Sequence, residues 1–173
     1  VAFAVALASA LGIAFSANLF TLFLFYEILT LSTYPLVAHH GDAKARRGAR
    51  IYLMILLGTS IVFFIPALVW TLAIAGTLDF TPGGILAGKA SGLTTGLLLA
   101  LFAFGIGKAA LMPVHKWLPN AMVAPTPVSA LLHAVAVVKA GVFTILKVSV
   151  YIFGSDHLLA TGASEWLVYL ATF

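Results

Sequence analysis

Residues 19–38 and 51–75 each stay apolar over the roughly 20 positions a helix needs to cross the hydrocarbon of a bilayer. Lipid offers no hydrogen-bond partners, so a chain that spans it must satisfy its own backbone, as helices or as a closed barrel. Nothing in this sequence alternates with the period of a barrel strand, which leaves helices. The composition agrees: 62% of the 173 residues are hydrophobic, only 8% are charged, and the mean hydropathy is +1.14. A soluble domain carries about a quarter charged residues. One of this length could not bury so much apolar surface. Cysteine is absent, which excludes disulfides, thiolate metal sites and iron–sulfur ligation.

Taken in order, residues 1–15 read as the end of a span, and Ser16, Ala17 and Asn18 offer a turn. Residues 19–38 make the first full span, with Glu27 near its middle. His39 to Arg50 then reads as a loop that concentrates Lys44, Arg46, Arg47 and Arg50. Cations are retained on the cytoplasmic side, so this loop is expected there. It accounts for most of the net charge of +4, which therefore reports topology and not a nucleic-acid surface. Residues 51–75 make the second span, kinked by Pro66, and residues 76–92 form a loop on the opposite side with Asp79 and a single cation, Lys89. The third span, residues 93–112, is expected to break where Pro113 denies the Ala109 carbonyl its helical partner. A short helical piece over 115–122 ends at Pro125 and Pro127, residues 128–153 make the fourth span, and residues 165–173 begin another. The expectation is an all-α polytopic membrane protein: one transmembrane domain over 1–173, with about four full spans, two partial ones and a helix broken near Pro113.

Four ionisable groups fall inside these apolar spans: Glu27, Lys108, His133 and Lys139. A charge at mid-bilayer costs about 2.5–3.5 kcal/mol on insertion scales, and such residues normally face a bundle interior or a hydrated cavity. Thr30 and Tyr34 follow Glu27 at spacings that share its helix face, so the acid has polar company. Lys108 lies about one turn before the expected break, where freed backbone and a labile proton would meet; the alternative is a lysine that snorkels to the interface. Lys139 sits mid-span and cannot easily snorkel. His133 lies about 120° from it around the helix, either lining the same aqueous path or acting as a hydrogen-bonded interior histidine. His115, beside the break, and Thr30 are accessory candidates; Lys147 reads as interfacial. The run from Gly105 to Ala109 lacks the first glycine spacing and the Ser/Thr of a phosphate loop, and no pair of histidines within a span has helical ligand spacing. No cofactor or metal is expected.

Residues 112–143, MPVHKWLPNAMVAPTPVSALLHAVAVVKAGVF, strongly resemble the proton-translocating antiporter-like subunits shared by Mrp-type cation/proton antiporters, respiratory complex I and membrane-bound hydrogenases. Residues 15–37, FSANLFTLFLFYEILTLSTYPLV, resemble the glutamate-bearing helix of that family. The resemblance implies a subunit of about 14 helices holding two inverted five-helix repeats, of which this chain is the first, truncated at both ends. It implies that Glu27 pairs with and tunes Lys108, that His133 and Lys139 carry a proton onward, and that the chain has no redox centre of its own. It further implies a bacterial or archaeal inner membrane, other membrane subunits as partners, and protons, with sodium, as the transported ions. The alternative is a structural or proton-pumping membrane-arm subunit of a redox-driven complex.

Overall fold

The longest apolar stretches become the longest helices. The computed structural model describes residues 1–132 and 136–172, and it is helical apart from its connections. Among the described residues, extended pairing is limited to an isolated bridge between Asn18 and Asp79. Helix α1 (Ala2–Phe15) packs along α2 (Leu19–Val37) as a hairpin. The turn is fixed locally: the Asn18 side chain accepts from the Thr21 N–H at 2.7 Å, capping α2.

The basic segment departs from expectation. Asp42 accepts from the Ala45 N–H at 2.6 Å, so α3 (Ala43–Thr59) begins at once, and Lys44, Arg46, Arg47 and Arg50 ride on its first two turns instead of in a loop. Cations at a helix N-terminus oppose its dipole, which is why the segment reads as loop in sequence. The aspartate cap and the burial of Ala45, Gly48 and Ala49 in packing against the short helix Trp117–Ala121 offset that cost. Helix α3 runs on through a π-helical turn, Ser60–Phe64, into α4 (Ile65–Ala75), giving one apolar helix of 33 residues. The wide turn sits just before Pro66: the Ile65 N–H reaches back to the Ser60 carbonyl, and the ladder passes the imino acid without a sharp break.

Helix α5 (Gly92–Gly105) ends well short of Met112, where the sequence placed its end. A 3₁₀ turn, Gly107–Ala109, follows, then Ala110 in the left-handed region, a cis Met112–Pro113 peptide, and a second 3₁₀ turn, Val114–Lys116. Short helices α6 (Trp117–Ala121) and α7 (Thr126–Ala130) lead to α8 (Val137–Val148) and its π-helical extension, Ser149–Phe153. Helices α9 (Ser155–Thr161) and α10 (Glu165–Thr172) close the chain. Four full spans were expected; among the described residues, two helices meet the length and apolarity of a span, α2 and α3–α4. A third joins them if the helix from Val137 to Phe153 is counted with α9, to which it bends by 79°.

The ends of the bundle are stitched by backbone. The loop after α4 donates from Ile85 and Leu86 to the Tyr151 and Ile152 carbonyls at 3.3 and 3.0 Å, and the Phe80 N–H reaches the Ala17 carbonyl at 3.1 Å. In the middle, Phe64 is a buried aromatic hub, with Phe23, Tyr26 and Phe102 edge-on to it at 5.3–5.7 Å between ring centres. That geometry suits the ring quadrupoles and fixes α2, the π-helical turn and α5 against one another.

Candidate functional site

The interrupted end of α5 is held open by groups from four other helices. At Gly105 the backbone of Phe64 lies so close that a β-carbon would clash. Across the break, Gly141 of α8 leaves room for the backbone of Lys108 and Ala109 in the same way. The backbone groups released from the helix find side chains: the Gly107 carbonyl accepts from Trp117 Nε1 at 2.9 Å, and the Lys108 N–H donates to the Tyr26 hydroxyl at 3.1 Å. The break is therefore set by tertiary partners at residues 106–108. Pro113, exposed some turns later, is not its origin.

Lys108 lies in that break and is fully buried. Its ammonium donates to the Tyr26 carbonyl at 2.8 Å and to Thr30 Oγ1 at 2.6 Å, and it stands 3.1 Å from the centre of the Tyr26 ring. Thr30 Oγ1 in turn donates to the Tyr26 carbonyl at 3.2 Å. One turn on, Thr33 Oγ1 shares a 2.5 Å hydrogen bond with the Tyr52 hydroxyl, and Tyr52 meets Trp117 edge-on at 5.6 Å. Polar oxygens at Tyr26, Thr30 and Thr33 thus follow one inner face of α2 at helical spacing.

Glu27 is next to Tyr26 in the chain and has the opposite fortune. Both of its carboxylate oxygens are buried, and neither has a hydrogen-bond partner. Its charge and that of Lys108 act on each other, but no ion pair closes between them. Ser60, at the start of the π-helical turn, lies beside the carboxylate, yet its hydroxyl donates to the Leu57 carbonyl at 3.1 Å. A buried, unpartnered carboxylate is expensive.

The other expected site residues are dispersed. Lys139 is exposed on the outer side of α8 and lines a groove of about 140 Å³ between α1 and α8 with Ala10, Ile13, Ala14 and Ala140, while the Lys108 hydrogen bonds go to Tyr26 and Thr30. His115, in the turn after Pro113, is half-buried with its Nδ1 buried and unpartnered. His133 lies outside the described residues. Among the described residues, no three His, Asp or Glu side chains converge as a metal site would require. Lys147 is structural: it donates to the Ala14 and Ser16 carbonyls at 3.2 and 2.7 Å and to Ser16 Oγ, closing the C-terminal end of α1.

Sequence reasoning missed Tyr26 and Ser60. Tyr26 had a signal, because Tyr26, Thr30 and Thr33 recur at i, i+4 and i+7; grouping Thr30 with Glu27 and Tyr34 chose a different face.

A bundle of apolar helices interrupted at a buried lysine, with a buried acid one helix away, is the form of a polytopic membrane protein with ionisable groups turned to its interior. The chain belongs to the NADH:quinone oxidoreductase/Mrp antiporter transmembrane family, whose model matches residues 16–172. It is 36% identical over 171 residues to a probable K(+)/H(+) antiporter protein of Rhizobium meliloti (strain 1021), a match that takes in 94% of this chain and 16% of that relative. Among solved structures it is similar to a chain of the Mrp complex from Dietzia sp. DQ12-45-1b, with a TM-score of 0.75, 28% identity, and coverage of 89% of this chain and 17% of that one. It is also similar to a chain of the membrane-bound sulfane sulfur reductase, an archaeal respiratory membrane complex. There the TM-score is 0.82 with 27% identity, covering 99% of this chain and 35% of the other. The chain thus spans a sixth to about a third of the proteins it matches.

Proposed function

We propose that this chain is a proton-handling unit of a cation/proton antiporter complex, in which Lys108 carries the proton and Glu27 governs when it leaves. The observation that carries this reading is a fully buried lysine at a helix break, within electrostatic reach of a buried carboxylate that has no hydrogen-bond partner. When the two charges meet, each favours the ionised form of the other; when they part, the proton on the lysine is free to move on. Water would relay it toward His133 and Lys139, with His115 and Thr30 as accessory groups. The chain would form a first inverted repeat with four full and two partial spans. The residues 39–50 side would face the cytoplasm of a bacterial or archaeal cell, within its inner membrane. Other membrane subunits and lipid would surround it, and the chain would hold no cofactor.

The Rhizobium meliloti relative favours potassium as the exchanged ion, beside the sodium that the family resemblance implies. The likeness to a chain of an archaeal respiratory complex favours the second reading, a membrane-arm subunit driven by electron transfer in its partners. Reconstituting the full complex with Glu27→Gln separates function from scaffolding: proton uptake into vesicles is expected to fall by about tenfold or more, while assembly stays normal. Unchanged uptake would leave a purely structural role. Uptake that follows external sodium or potassium supports exchange; uptake indifferent to both supports the redox-driven relatives.

A further inference from the structure

We infer that Tyr26 and Thr30 form a second, uncharged seat for the Lys108 ammonium, so that the lysine alternates between this seat and the Glu27 carboxylate. The inference rests on the proposed proton-handling role and says where the lysine goes when it is not paired with the acid. Three features of the geometry build the seat. Tyr26 meets Lys108 three ways, through its carbonyl, its ring face and its hydroxyl. The Thr30 hydroxyl has a single proton, and it gives that proton to the Tyr26 carbonyl, so its lone pairs are turned toward the ammonium. The ammonium is thus matched by two oxygens and an aromatic face without any counter-charge.

The same arrangement separates a fixed part from a mobile part. The Tyr26 hydroxyl holds the Lys108 backbone N–H, and Gly141 and Trp117 hold the neighbouring backbone, so the break itself need not move. The lysine side chain has four carbons of reach and two destinations on one helix, since Glu27 is adjacent to Tyr26. The structure catches it on the neutral seat, and this is why both Glu27 oxygens are left without a partner. Tyr26 and Thr30 are positioning residues in this scheme: neither takes the proton.

The test uses the full complex in vesicles and two readouts, proton uptake and the infrared carboxyl signal of Glu27, identified by its loss in Glu27→Gln. Thr30→Val removes the seat's closest oxygen with little change of volume. Lysine is then expected to stay on Glu27, the Glu27 signal to move to that of an ion-paired carboxylate, and uptake to fall about tenfold. Thr30→Ser keeps the oxygen and is expected to match the parent in both readouts. A Thr30→Val complex with unchanged carboxyl signal and uptake would overturn the seat, as would a Thr30→Ser complex as defective as Thr30→Val, which would make packing the cause. The two readings fail differently. If Lys108→Ala abolishes uptake while Thr30→Val changes nothing, the seat alone is wrong; if Lys108→Ala also leaves uptake intact, the proton-handling role falls with it.

Discussion

Lys108 shows what a buried cation needs in order to persist without an ion pair. Its partners are a carbonyl, a hydroxyl and a ring, all from one helical turn of α2. Around it the Thr33–Tyr52 hydrogen bond braces α2 against α3, and both residues are fully buried. Tyr52→Phe removes one partner of that pair and leaves Thr33 with bonds only to its own helix. A loss of about 0.5–1.5 kcal/mol is expected, read as a lower unfolding midpoint in detergent. At this scale the sequence was half legible. Glu27 and Lys108 announce themselves because charge in an apolar run is costly wherever it points. Tyr26 reads as one more aromatic among apolar neighbours, and nothing but the fold reveals that its ring, hydroxyl and carbonyl converge on a residue 82 positions away. Lys139 was legible as an ionisable group; that it points outward from α8 depends on which helices lie beside it, which a single helix does not encode.

Among elements, the end of α5 is the instructive case. Pro113 is a strong local signal, and it suggested a helix reaching Met112, yet the helix stops at Gly105. What stops it is contact: Phe64 against Gly105, Gly141 against the Lys108–Ala109 backbone, and side chains that take over the released backbone groups. Gly141→Ala would push a methyl group into that backbone, and a destabilisation of about 1–3 kcal/mol is expected, with proton uptake falling as the lysine is displaced. Thermal unfolding of the purified complex, alongside uptake, checks both parts. The start of α3 shows the opposite error, a helix hidden by its own charge. Asp42→Ala is expected to cost about 1 kcal/mol by removing the cap, visible as earlier unfolding or faster amide exchange confined to the first turns of α3.

For the molecule as a whole, hydropathy foretold helices and a membrane, while the expected count of four full spans is matched among the described residues by two helices of full length, or three with the bent pair. Among the described residues, α2 and α3–α4 have the length, while α5 and the stretch between it and α8 are interrupted around the lysine site. The interruptions that spoil the span count are the ones that build the site. Large apolar side chains remain exposed along α2, at Phe20, Leu24, Ile28 and Leu31, on the face away from Lys108. Leu24→Arg would place a charge there at an expected cost of about 2.5–3.5 kcal/mol, measured as a lower inserted fraction in a membrane-insertion assay. The central claim is narrower than the fold: one buried lysine, held at a break and answered by one buried acid, moves the proton. Proton uptake by vesicles carrying the full complex with Lys108→Ala tests it most directly. The account predicts a normally assembled complex whose uptake is lost; uptake at the parent rate from that same complex would contradict it.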